Sequence, residues 1–551
     1  MADSSLASET RDPQRESNHD PELETHGRLA QLEARLAALR ATFVQNITSA
    51  TRDFSLAVSD EASLAGMTER GKARARRDAE AQQREGWLLT LDRRCYEAAL
   101  NSLDDRKLRH DLYEAYVTRA SEQGPRKRRF DNSPLVQEML ALRHELAALH
   151  GYENYAEYAL RDGLLTTTRD VERYLLTGGE LVRARAQAEL EEIWTFAKGK
   201  GAPKGFATWD LGYYADWLMR ERLGFSEDDL TPYFSFRDVL SGLFTLCEKL
   251  LGVSMVRLAG DDSGRESALY KVVTDAEQEL GWLEIEPVGD AQQAQSPWFK
   301  LSDEGPHVGA ADASERPVLR VCLALDPVTD DEPVQLAHAD VMSLFRCLGQ
   351  GLFLLLNRPR EQGSVGVPHA LATAGEVAGR YFERLSLHFE TLSVCARHHQ
   401  TGASLPRELF DQLMCGRAMR EGLLAARDLE QGLFDLRVHR DFVPPDKATQ
   451  LRQHVFDTLS QVRHEVCVLR PPFWDKSVNA NRALFVEEGA LRAWETVWAK
   501  RVAGDLLAAF EAAPFDVQVA ARLRDTFWTP RERGLLERLT DALGRPPSLL
   551  P

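Results

Sequence analysis

The chain has 551 residues, of which 43% are hydrophobic and 28% charged, and its formal net charge is -17 at pH 7. That length allows more than one packed unit, and a composition without a long uninterrupted apolar run is expected of a soluble globular protein with no transmembrane helix and no membrane partner. The acidic balance argues against a nucleic-acid partner, because tracking phosphates needs clustered Lys and Arg.

Residues 1–25 are polar and poor in aromatics, and they read as a disordered acidic tail. They hold no apolar core of the secretory kind, so the cytoplasm is the expected compartment. From His26 to Leu36 apolar residues recur at three and four, which predicts an amphipathic helix opening a helical lobe over 26–265. Helix stops are expected at Gly124-Pro125, Gly178-Gly179 and Gly199 to Pro203. The basic run Arg126 to Arg129 reads as a solvated loop.

A second domain is expected over 266–551. Between Leu269 and Leu325 the pattern shortens to Tyr270 to Thr274, Leu280 to Ile285 and Val318 to Leu323, which read as strands. Pro287 has no N–H for a ladder, so its strand should end early or lie at an edge. The segment Leu344-Phe345-Arg346-Cys347-Leu348-Gly349-Gln350 reads, by itself, as part of an apolar helix. Seven cysteines lie singly, without the C-x-x-C spacing of zinc or redox sites, and are expected to be reduced core thiols.

That apolar segment has a second reading. In the H-E-x-x-H motif two His one turn apart hold Zn²⁺ and the Glu activates the bound water. Leu336 to Phe345, with His338, resembles the lead-in to this motif in the thimet oligopeptidase and oligopeptidase A family of zinc metallopeptidases. Further segments resemble the same family in order along the chain: Glu85 to Asp92, Ala115 to Pro125, Asp131 to Pro134, Leu142 to Leu146, Trp209 to Tyr214 and Arg397 to Gly402. The chain is identified as a degenerate member, with Arg346, Cys347 and Gln350 at the three motif positions.

The resemblance implies a mainly α fold, with two helical lobes around a deep channel and a small sheet beside the remnant metal-motif helix. It implies an N-terminally shortened chain lacking roughly the first quarter of the family's N-terminal helical region, which would open the channel or leave an apolar face for another protein to cover. The family's third ligand, a Glu in a Val-Glu-Leu-Pro-Ser-Gln context, falls on Glu376, and Glu383 falls on a helper position. A substrate-contacting His falls on Ala483, and a Tyr pair falls on Ala493 and Trp494. Losing oxyanion donors of this kind costs a working enzyme about 2.7–4 kcal/mol each.

Electrostatics separates a weakened metal site from a lost one. At roughly 3.5 Å and an effective dielectric of about 20, Arg346 and Zn²⁺ would repel by on the order of 9 kcal/mol. The economical arrangement is an Arg346–Glu376 ion pair replacing the metal. The expectation is thus a pseudoenzyme that binds neither zinc nor any other cofactor and does not hydrolyse peptides. It would bind a peptide-like ligand or a protein partner, in a cleft lined by Arg346, Glu376, Glu383 and Trp494. The alternatives are a non-hydrolytic enzyme in the old channel, a scaffold with a filled cleft, and a metal site rebuilt from Glu376, Glu383, His369 and His388. Cys347 as a nucleophile lacks a base, since His338 lies too far along the helix. His398 and His399, read as helix neighbours, would diverge by about 100° and share no ion.

Overall fold

The computed structural model describes residues 21–126, 128–260, 266–288, 298–303, 306–307, 316–325, 333–358, 367–444, 448–486, 490–511, 515–529 and 533–548. The chain is mainly helical. Seven of its helices frame the candidate site and its supports: α1 (Pro21–Arg52), α2 (Ser133–Leu149), α3 (Thr168–Gly199), α4 (His338–Asn357), α5 (His369–Leu385), α6 (Glu421–Arg440) and α7 (Ala493–Phe510). The amphipathic first helix starts at Pro21 rather than His26, so the stretch read as a tail is helical over its last five residues; residues 1–20 lie outside the described set.

α1 buries Leu32 and Leu36 of the series read from the sequence, and the same spacing continues through buried Leu39, Phe43 and Ile47. Arg28 and Arg35 of α1 reach Glu145 and Glu138 of α2 at 2.6 Å each. These are exposed pairs, worth little to stability.

The expected stop at Gly178-Gly179 is absent, and α3 runs through to Gly199. Packing on α6 overrides the local cost of two glycines. The two helices lie antiparallel, with Glu172 bonded to Arg437 and Arg440 at one end. At the other end buried Glu189 accepts the Gly422 and Leu423 N–H groups at 2.8 and 2.9 Å, satisfying the first turn of α6.

A short antiparallel pair, β1 (Ser55–Val58) with β2 (Trp87–Thr90), belongs to a small core of its own. The main sheet holds β3 (Val253–Ala259), β4 (Ala268–Thr274), β5 (Glu279–Val288), β6 (Trp298–Ser302) and β7 (Val318–Ala324) in the order β3-β4-β5-β7-β6. All neighbours are antiparallel except β5 and β7. β5 does not end at Pro287. That residue pairs with Leu323 on one side, and on the other the β4 ladder ends at Ile285, so its missing N–H falls at a local edge.

α4 is clamped between the sheet and α5. A Cβ at Gly351 would stand 2.4 Å from Leu319 of β7, and one at Gly349 would stand 2.6 Å from Phe382 of α5. Its other faces bury Val341, Leu344, Phe345, Leu348, Leu352 and Phe353. By length and composition alone α4 is apolar enough to cross a membrane, although Asp340, Arg346 and Gln350 interrupt its apolar run. Its place in the fold accounts for that apolarity, because it is wrapped by sheet and helix. The largest core is continuous from Leu32 to Ala542, and the boundary expected at 265/266 adjoins residues outside the described set.

Candidate functional site

His338 begins α4. Its Nε2 lies 3.3 Å from the Ser386 carbonyl, and burial, with Arg417 adding to it, lowers its pKa to about 4. The imidazole is neutral and donates to that carbonyl, tying the start of α4 to the end of α5. Asp340 accepts the Ala337 N–H at 3.1 Å and takes Arg94 at 3.0 Å, which fixes the first turn.

Two turns on, Arg346 and Gln350 occupy one face, and α5 crosses over them. A Cβ at Gly379 would stand 2.9 Å from Gln350 Cβ and 3.0 Å from the Arg346 carbonyl. Only glycine lets the helices approach this closely. Cys347 points the other way into the core, fully buried, and burial pushes its thiol pKa up, outweighing the nearby Arg346 cation. A protonated core thiol is a poor nucleophile.

The expected Arg346–Glu376 ion pair is not formed. Glu376 Oε1 instead accepts from Arg380 Nε at 2.8 Å, and Arg380 Nη1 reaches Glu383 Oε2 at 2.7 Å. Arg380 is one turn beyond Glu376 on the same helix, so the pair forms within α5, while Arg346 acts on the carboxylate only through space. Burial alone would raise the Glu376 pKa, but Arg380, then Arg346 and Arg492, bring it below the ordinary carboxylate value. The same pair of carboxylates raises the pKa of Arg380 against the effect of its burial. The side chains of Glu376, Arg380 and Glu383 are 14%, 15% and 21% exposed, so the group sits in a recess rather than on open surface.

Beside this triad, Glu495 of α7 is 1% exposed and fully engaged. It meets His369 Nε2 at 2.6 Å, Thr373 Oγ1 at 2.9 Å and Arg492 Nε at 3.2 Å. His369, Thr373, Glu376, Arg380 and Glu383 follow one another at four, three, four and three residues, so they form one polar stripe along α5.

The remaining expected positions divide. Ala493, partly buried, opens α7, and Ala483 is exposed in the helix Arg482–Phe485. Trp494 is not a cleft wall: it is 1% exposed and packs edge-on to Tyr174 in the core. An indole directed inward at the start of α7 cannot line a solvent-reached site. Glu487 to Gly489, part of the loop expected to carry substrate contacts, lie outside the described residues.

The rebuilt metal site does not assemble. Among the described residues no three His, Cys, Asp or Glu side chains come together as ligands, His369 being held by Glu495 and His388 lying 3.0 Å from Glu390. A zinc ion does not fit the residues present, since the one motif carboxylate, Glu376, is bonded to the Arg380 guanidinium and feels the Arg346 cation as well. His398 and His399 are not on a helix; they lie in a turn with their rings stacked, 5.3 Å apart and 5° from parallel, and His399 contacts Gln335 and the Pro232 carbonyl.

Arg380, Arg492 and Glu495 are site residues that the sequence reading misses. The spacing Glu376-x-x-x-Arg380-x-x-Glu383 carries a readable signal, since both intervals place opposite charges on one helical face.

Known proteins agree with this architecture. The model of peptidase family M3 matches residues 99–527. Oligopeptidase A of Salmonella typhimurium is 30% identical over 490 residues, spanning 89% of this chain and 71% of the relative, and that of Escherichia coli K12 matches equally. Dipeptidyl carboxypeptidase of Escherichia coli K12 is 26% identical over 418 residues, 75% of this chain and 60% of the relative. Among solved structures, PZ peptidase A with an inhibitor superposes with a TM-score of 0.54 at 10% identity, covering 96% of this chain and 78% of that one, which supports the fold. By sequence and by fold, this chain belongs to peptidase family M3, among the relatives of oligopeptidase A.

Proposed function

We propose that this chain is a non-hydrolysing member of the family, one that binds an oligopeptide over α4 and α5 without zinc. The observation that carries the reading is the engagement of Glu376 by Arg380. The carboxylate that would close a three-ligand zinc site is already neutralised by a cation of its own helix. Arg346 adds a second positive charge where the resemblance puts the first His ligand. Admitting a divalent cation with both in place would meet repulsion on the order of several kcal/mol from each.

The rest of the catalytic equipment is missing in the same reading. Cys347 replaces the general base with a buried protonated thiol, and Ala483 and Ala493 offer no hydrogen bond to a developing oxyanion. What survives is a recess of fixed charges on rigid helices, suited to hold a polar backbone. A peptide ligand, in the cytoplasm, fits this better than nucleic acid or membrane, given the net charge of -17. A protein partner presenting a peptide segment would use the same recess.

Titration calorimetry with a mixture of N-acetylated hexapeptides tests the reading. Binding heat together with a rise in melting temperature is expected. Neither heat nor a rise, at peptide concentrations reaching the millimolar range, would remove it.

A further inference from the structure

Among the described residues of the recess, Arg346 is the cation left over. Arg380 is taken by Glu376 and Glu383, and Arg492 by Glu495. Arg346 makes no hydrogen bond or ion pair among the described residues, although its side chain is partly withdrawn from water. One turn along the same face, Gln350 Oε1 is buried and accepts no hydrogen bond among the described residues. On a partly buried residue, a guanidinium without a partner among the described residues calls for an anion, and the buried amide oxygen beside it calls for an N–H.

We propose that Arg346 and Gln350 together receive the free C-terminus of a peptide, Arg346 binding the terminal α-carboxylate and Gln350 Oε1 accepting the N–H of the last residue. This rests on the peptide-binding reading and names the end of the ligand that is recognised. Residues four apart on a helix stand about 5–6 Å apart at Cβ. The carboxylate and N–H of one terminal residue bridge such a gap through hydrogen bonds of about 2.9 Å. The guanidinium fork matches a carboxylate through two parallel bonds, which neither an amide nor an ester can copy. The neighbouring carboxylates do not repel the ligand strongly, because Arg380 already lies between Glu376 and Glu383.

The test compares two probes on the full chain by calorimetry: an equimolar N-acetylated hexapeptide library ending in free acid, and the same library ending in carboxamide. The acid is expected to bind at least tenfold more tightly. In Arg346→Gln that preference should vanish while the residual affinity for the amide persists, and Arg346→Lys should restore part of it. Equal binding of acid and amide by the parent protein overturns the carboxylate assignment while leaving peptide binding intact. Binding of neither overturns both. Should Arg346→Gln fail to fold, the acid-to-amide ratio of the parent protein decides by itself.

Discussion

Arg380 bridges Glu376 and Glu383 from within their own helix, at 2.8 and 2.7 Å, and so does inside one helix what a metal ion would do between two. A fixed cation offers no open coordination position, and its charge cannot be removed by a chelator. The arrangement neutralises two partly buried carboxylates from within α5.

Replacing Arg380 should therefore be costly. Arg380→Gln leaves two carboxylates facing each other in a recess, and removing one partner of a buried pair costs about 3–5 kcal/mol, less here because the group is partly solvated. A loss of about 2–3 kcal/mol in urea denaturation at pH 7 is expected. Because the folded Glu376 pKa is depressed, its stabilisation is present above about pH 4.5 and is lost as pH falls through the folded value. The gap between parent and variant should thus narrow below pH 4.5. A gap that is constant with pH would show that the ion pair is not its origin.

The same pairing governs any attempt to restore the metal. The triple variant Arg346→His, Cys347→Glu, Gln350→His supplies the motif groups, yet Arg380 still holds Glu376. It is expected to take up well under one zinc per chain after dialysis, and adding Arg380→Gln should raise the content towards one. Tight stoichiometric zinc in the triple variant would mean that Arg380 is no obstacle.

His338 gives a separate pH signature. Its folded pKa of about 4 lies below the unfolded value near 6.5, so the unfolded state binds the extra proton, and stability falls as pH drops from 6.5 towards 4. The contribution is about 3 kcal/mol over that window. His338→Gln, which keeps a donor for the Ser386 carbonyl, should flatten this part of the stability profile measured by urea denaturation. An unchanged slope would assign the acid sensitivity elsewhere.

Thiol mapping checks the orientation of α4. Cys415 is exposed, whereas Cys347 is buried with its thiol pKa raised. Iodoacetamide at pH 8 followed by peptide mass analysis should modify Cys415 quickly and Cys347 only after unfolding. Rapid labelling of Cys347 would place it in the recess and not in the core.

The large elements are legible in the sequence because their patterns are local. The apolar periodicity of α4 and the short apolar runs of β4, β5 and β7 reflect which faces they bury. The expectations that fail depend on neighbours. Two glycines in α3 read as a stop because nothing in the local sequence reveals α6 lying against them. Pairing Arg346 with Glu376 reaches across two helices, yet the nearer solution lies one turn along α5, where sequence spacing alone suffices. Trp494 reaches the cleft only by alignment of position, and the rotation of α7 that turns its indole into the core cannot be read from the chain.

Metal analysis combined with cleavage of quenched-fluorescent peptides tests most directly the proposal that this protein holds no catalytic zinc. Protein stripped with chelator, incubated with excess zinc and dialysed should retain far less than one zinc per chain and release no fluorescence above a protein-free control. One zinc per chain, with peptide cleavage that chelation abolishes and zinc restores, would contradict the account.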